Sequence, residues 1–148
     1  MQLLHVAASF GATENDLKQI YIQFIRSILE GSCQVWSGSL TAKNMSDLER
    51  IQKSAVKIIC PRYTNYNQCL NHLKMVNLKS RYKTLTLNFA RKAKSHDKLK
   101  HMFPTNDKIH NMKTQKTEVY KKTHANTQRF MKSPILYMQS LLNEYTIS

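Results

Sequence analysis

The segment Thr13–Gly31, TENDLKQIYIQFIRSILEG, decides the fold class. Thr13 can accept a hydrogen bond from the free N–H groups that open a helix, and Asp16 stands three residues on, where its carboxylate can reach back to Thr13. Leu17, Ile20, Tyr21, Phe24, Ile25, Ile28 and Leu29 then recur at intervals of three and four, which predicts one apolar face on an α-helix. Gly31 is the expected stop.

The same reading extends downstream. After a loop carrying Trp36 and Gly38, Ser46-Asp47-Leu48-Glu49 repeats the capping pattern. It predicts a second helix with Leu48, Ile51, Ala55, Ile58 and Ile59 inward, ended by Pro61. Arg50, Lys53 and Lys57 fall on its outer side. A short helix is expected over Tyr66 to Leu73, and a longer one from Ser80 to Ser95 with Tyr82, Leu85, Phe89 and Ala93 facing the core. From Pro104 to Ser133 the periodicity fades and Lys, Thr, Asn and Gln dominate, which predicts an extended, mobile segment. Ile135, Leu136, Tyr137, Met138, Leu141 and Leu142 are spaced as a closing helix that docks on the core. With three glycines and three prolines in 148 residues, the expectation is an all-α protein. It comprises a small bundle of about four helices and a basic, largely irregular C-terminal tail ending in a short helix. The expected divisions are a helical domain over 1–100, a basic flexible segment over 101–133 and a short C-terminal helix over 134–148.

The formal charge of +14 is distributed unevenly. Residues 1–50 carry four basic and five acidic side chains, and residues 51–148 carry nineteen and four, so the halves stand at −1 and +15. A polyanion is the natural partner of the second half, because Lys and Arg that neutralise phosphates release condensed counterions. The alternative is a solvated lysine-rich surface. Lys79, Arg81, Lys83, Arg91, Lys92 and Lys94 lie on or beside the Ser80–Ser95 helix, with no acidic residue before Asp97, so they are the first candidates for phosphate contact. Lys121, Lys122, Arg129 and Lys132 form a second set, interleaved with Tyr120 and Phe130, which could stack on bases. Trp36 is read as an anchor between helices.

Other chemistries are disfavoured. Two-metal catalysis needs clustered carboxylates, yet Asp16, Asp47, Asp97 and Asp107 are scattered, and the first two occupy helix-capping positions. No catalytic set is expected. Cys69 and His72, three apart on one helix, could share a metal with Cys60 and Cys33, but the spacing fits no zinc-knuckle pattern, so no metal site and no cofactor are expected. The histidines form no triad signature. Three irregularly spaced cysteines argue against a secreted disulfide scaffold. The N-terminus does not read as a signal peptide, and no run approaches the ~20 apolar residues that cross a bilayer. A soluble intracellular protein of cytoplasm or nucleus, with no membrane partner, is the expectation.

Several strings, taken in order, resemble one family. Ser9-Phe10-Gly11-Ala12-Thr13 leads into Ile20 through Glu30, and Val35-Trp36 follows. Leu48-Glu49-Arg50-Ile51-Gln52-Lys53-Ser54-Ala55-Val56-Lys57-Ile58-Ile59 is similar to the helix that follows the polymerase domain in non-LTR retrotransposons of the jockey-like and related groups. The likeness continues through Tyr66–Leu73, Leu87-Asn88-Phe89-Ala90-Arg91-Lys92, Met102-Phe103-Pro104 and Ser133 through Asn143, and so spans nearly the whole chain. Gly31 departs from it, standing where related elements often carry an aromatic residue. The resemblance implies the thumb and post-polymerase region of an RNA-directed DNA polymerase. The palm aspartates and nucleotide-binding fingers are absent, so the Mg²⁺ chemistry belongs to the missing palm and Met1 reads as an internal methionine of a truncated copy or as the start of a fragmentary gene model. It also implies RNA or RNA–DNA hybrid, and the absent polymerase domains, as partners. The competing reading is a helical protein-interaction module or inert relic with no nucleic-acid role. Burial of the Leu17–Leu29 stripe separates the two: a self-sufficient module should cover it.

Overall fold

The structure, a computed structural model, describes residues 1–105, 119–121 and 123–146. It is all-α, and among the described residues the one β-type pairing is an isolated bridge between Thr105 and Tyr120. The helices are α1 (Gln2–Ser9), α2 (Glu14–Ile20), α3 (Ser27–Glu30), α4 (Cys33–Trp36), α5 (Ala42–Ile59), α6 (Tyr66–His72), α7 (Leu78–Ser95), α8 (Gln128–Met131) and α9 (Pro134–Thr146). A π turn, Tyr21–Arg26, joins α2 to α3, and short 3₁₀ turns cover Ser37–Ser39 and Lys100–Met102. The chain divides into two compact units, Met1–Cys33 with Leu40–Tyr82, and Gln34–Ser39 with Lys83–Ser148. This division runs along other lines than the expected 1–100, 101–133 and 134–148. It falls inside α7, because the final helix shares a core with the second half of α7.

In the first unit, α1 ends where Gly11 takes φ +80, letting the Ala12 N–H reach back to the Ala7 carbonyl at 3.1 Å. Thr13 then opens α2 with the expected capping box: its side chain accepts from Asp16 N–H, and the Asp16 carboxylate accepts from Thr13 N–H. The apolar stripe does not continue as an ideal α-helix. The π turn inserts one residue, so the buried positions run Leu17, Tyr21 and Arg26, spaced by four and then five. Phe24 and Ile28, expected inside, are 57% and 80% exposed. Arg26, only 9% exposed, takes their place and its Nε donates to Glu30 Oε1 at 2.6 Å.

The cap of helix α5 lies five residues before the expected one, at Thr41, whose side chain accepts from Asn44 N–H at 3.1 Å. Ser46 is interior to the helix. Its buried face is Gln52, Ala55, Val56 and Ile59, and Ile51, expected inward, is exposed. Gln52 is wholly enclosed and fully used. It accepts from Tyr21 Oη at 2.9 Å and donates to Tyr66 Oη at 2.8 Å and to the Val76 carbonyl at 3.0 Å. Tyr66 Oη donates in turn to Glu49, and Glu49 Oε2 accepts from Leu78 N–H at 3.0 Å. Glu49 therefore caps α7 instead of its own helix. A satisfied polar network of this kind fixes the mutual register of its helices, since any slip would strand a buried donor. The α6 reading holds within a residue, and the helix closes through Lys74 at φ +51, with Met75 N–H bonded to the Leu70 carbonyl at 2.8 Å.

The second unit is built on Leu87, Ala90, Ala93, Phe103, Tyr120, Met138, Leu141 and Leu142. α7 therefore presents Thr86, Leu87, Ala90 and Ala93 inward here. Leu85 is half-buried and Phe89 is 43% exposed, unlike the expected stripe. The expected stacking role of Tyr120 is overturned: its ring is buried in this core, and its backbone exchanges two hydrogen bonds with the Asn143 side chain, at 2.9 and 3.1 Å. Trp36 is half-buried. Of the segment expected to be extended and mobile, residues 106–118 and 122 lie outside the described residues. Thr127, within the same segment, caps the short α8.

Gly38 is needed for space. A Cβ there would lie 2.7 Å from two ring carbons of Tyr137 and 2.9 Å from its Cβ. Gly38→Ala should therefore lower stability by about 1–3 kcal/mol, the usual cost of overpacking, read as a lower urea midpoint with an unchanged m-value.

Candidate nucleic-acid interface

The structure sorts the candidate cations by what already holds them. Lys79, on the first turn of α7, is exposed in the first unit. Arg81 is not free for phosphate: its Nε donates to Glu30 Oε1 at 2.9 Å and its Nη2 to Oε2 at 3.2 Å. Glu30 thus serves Arg26 and Arg81 together. Burial alone would raise its pKa, but the two guanidiniums, Arg81 foremost, outweigh burial and hold the carboxyl below its ordinary value. Arg81 is correspondingly pushed up, chiefly by its hydrogen bonds to Glu30.

In the second unit Lys83 donates to Glu144 Oε1 at 2.8 Å and lies 5.1 Å from the Tyr145 ring centroid. Lys94 is exposed, and its Nζ donates to Tyr120 Oη at 3.1 Å. Arg91 and Lys92, on the same helix, are exposed and have no ion-pair partner among the described residues. Lys121 is exposed beside the Thr105–Tyr120 bridge, its N–H bonded to the Pro104 carbonyl at 2.9 Å. Lys122 lies outside the described residues.

Arg129 and Lys132 are brought together around α8. With Phe130, Thr127, Ser133, Pro134 and Ser39 they line an open recess. Phe130 is half-exposed there, so one aromatic face and two cations share a concave surface. This is the combination that single-strand binders use to stack bases and track phosphates. Lys98, exposed just beyond α7, adds a further charge that the helical reading did not include.

The acidic inventory decides the electrostatics. Asp97 and Glu144 are the described carboxylates of the second unit, and they are bound to Lys100 and Lys83 at 3.0 and 2.8 Å. Arg91, Lys92, Lys98, Lys121, Arg129 and Lys132 have no carboxylate partner among the described residues. Such a surface holds a positive potential that attracts polyanions.

One further cluster of ligand-type atoms lies in the first unit. Glu14, Cys60 and His72 each offer an atom within 4.8 Å of the other two. Neither Cys33 nor Cys69 belongs to a set at that separation among the described residues. The Cys69–His72 pairing suggested by spacing is thus replaced by partners 12 and 58 residues from His72, which no local pattern announces. Among the described residues no helix is long and apolar enough to cross a membrane. Comparison with family models, curated proteins and solved structures returns no match for this chain.

Proposed function

We propose that this chain is the thumb and post-polymerase portion of a non-LTR retrotransposon reverse transcriptase. In this reading it has no catalysis of its own and binds RNA or RNA–DNA hybrid without sequence preference, inside the cell in cytoplasm or nucleus. The observation that carries it is the surplus of cations in the second unit, where the described carboxylates are already bound to Lys83 and Lys100. Phosphate contact through Arg91, Lys92 and the Arg129–Lys132 recess supplies affinity, and Phe130 offers a stacking face. Exposed Phe24 and Ile28 favour a segment made to face further protein, such as the polymerase body, over a self-contained module. The Mg²⁺ chemistry is that of the parent's palm.

The second reading, an interaction module or relic without a nucleic-acid role, draws on Arg81 and Lys83, whose charges are spent on Glu30 and Glu144. Reversal of charge separates the two. Arg91→Glu with Lys92→Glu should cut affinity for a single-stranded RNA at least tenfold at low salt, each lost contact also reducing the salt slope by about 0.7. Lys53→Glu with Lys57→Glu, on exposed positions of α5 in the first unit, should cost much less. Equal losses in the two variants would dismiss the second unit as the interface.

A further inference from the structure

From the convergence of Glu14, Cys60 and His72 we propose that the first unit holds a zinc-class divalent cation through one carboxylate oxygen, one thiolate sulfur and one imidazole nitrogen. The three residues are brought together from the first turn of α2, the C-terminal cap of α5 and the last residue of α6. His72 Nε2 lies 2.6 Å from Glu14 Oε1, and Cys60 Sγ donates to that same oxygen at 3.2 Å. One carboxylate oxygen is therefore the focus of two protons, one on sulfur and one on nitrogen. A borderline-soft cation can replace both attractions at once, since sulfur, nitrogen and oxygen are the donors zinc takes.

The geometry needs little adjustment. Bond lengths of about 2.3 Å to sulfur and about 2.0–2.2 Å to nitrogen and oxygen imply tetrahedral edges of roughly 3.4–3.6 Å. The sulfur–oxygen separation is already close to that, and the His72–Glu14 contact would open by about 0.8 Å on those bond lengths. His72 is also held from behind. Its Nδ1 lies 3.3 Å from Tyr63 Oη, and the two rings meet with centroids 5.0 Å apart. Ligating histidines commonly hydrogen-bond through the second ring nitrogen, which fixes the tautomer and the direction of the lone pair.

On binding, the neutral imidazole of His72 changes tautomer by exchange with solvent, its one ring proton leaving Nε2 and taking Nδ1, where it is donated to Tyr63 Oη. The Nε2 lone pair goes to the metal, and the Cys60 proton leaves to solvent. Half-exposed Glu14 and His72 give the cation a path in, and buried Cys60 forms the floor. Water completes the fourth position, as in three-ligand zinc sites. The opposing group is Arg62, whose charge acts on Glu14, and burial and the Glu14 hydrogen bond push the Cys60 thiol up to about 12.

The inference is independent of nucleic-acid binding. Its test is titration of the reduced, metal-free full chain with Co²⁺ alone. The expected result is a thiolate-to-cobalt charge-transfer absorption with the visible intensity of four-coordination, abolished by excess Zn²⁺. Cys60→Ser should remove the charge-transfer band with helical circular dichroism unchanged. Glu14→Gln and His72→Gln should weaken Co²⁺ binding at least tenfold, and Cys33→Ala and Cys69→Ala should retain the band. No thiolate band in the parent chain, or a band indifferent to both Glu14→Gln and His72→Gln, overturns the proposal and leaves the cluster a hydrogen-bonded staple between helices.

Discussion

Glu30→Ala is expected to be the most damaging single substitution in the first unit, costing about 3 kcal/mol or more, because it leaves the enclosed Arg26 guanidinium without a counter-charge. Arg81, more exposed, adds a smaller share. A unit of this size should lose roughly 10 °C or more in melting temperature. Phe24→Ala and Ile28→Ala, by contrast, should each fall within about 0.5 kcal/mol, since those side chains lie in solvent. A regular α-helical stripe implies the reverse order, with both apolar truncations costing about 2–5 kcal/mol. The three melting curves therefore test the π turn directly.

The same carboxylate sets a pH dependence. The folded state holds the Glu30 carboxyl below its ordinary value of 4.5, so the native protein takes up that proton less readily than the unfolded chain. Its stabilisation is complete above about 4.5 and is lost as pH falls through the depressed native value. Acid unfolding of the parent chain should accordingly be steeper than that of Glu30→Gln, whose side chain has no proton to gain.

What the sequence made legible is what local interactions decide. The Thr13–Asp16 capping box, the bounds of α6 and the inward Met138, Leu141 and Leu142 of α9 were within reach, because each rests on neighbours within about one or two helical turns, whereas Ile135, expected inward with them, is exposed. The π turn was not. Whether a helix spends an extra residue depends on where the buried charges end up, and Arg26 is drawn inward by a carboxylate that also serves Arg81, 51 residues further on. The choice of Gln52 over Ile51 as the inward residue of α5 has the same origin. Its partners Tyr21, Tyr66 and Val76 lie 31, 14 and 24 residues away, and together they satisfy a polar group that simple hydrophobic periodicity assigns to solvent. Glu49 misleads in a related way, since a glutamate three residues after a serine is a capping signal for its own helix, yet this one caps α7.

The candidate interface was half legible. Cations announce themselves in a sequence; their partners do not. Lys83 and Arg81 looked as available as Arg91 and Lys92 until Glu144 and Glu30 were found beside them. Tyr120 looked like a stacking residue because polar residues surround it in sequence, and it is buried because Asn143 satisfies its backbone within the second core. The Arg129–Phe130–Lys132 grouping survives because α8 places the three around one recess.

The central claim, that the cationic surface of the second unit engages nucleic-acid phosphates, predicts a steep electrolyte dependence. Each phosphate contact on a single strand contributes about −0.7 to the slope of log affinity against log salt. If four to six cations engage, the slope is roughly −3 to −4, and affinity falls roughly 60- to 250-fold between about 50 and 200 mM salt. The direct measurement is fluorescence anisotropy of a labelled single-stranded RNA titrated with the full chain across that salt series. A slope near −3 to −4 is the predicted result; a flat dependence, or no binding at the lowest salt, would contradict the claim.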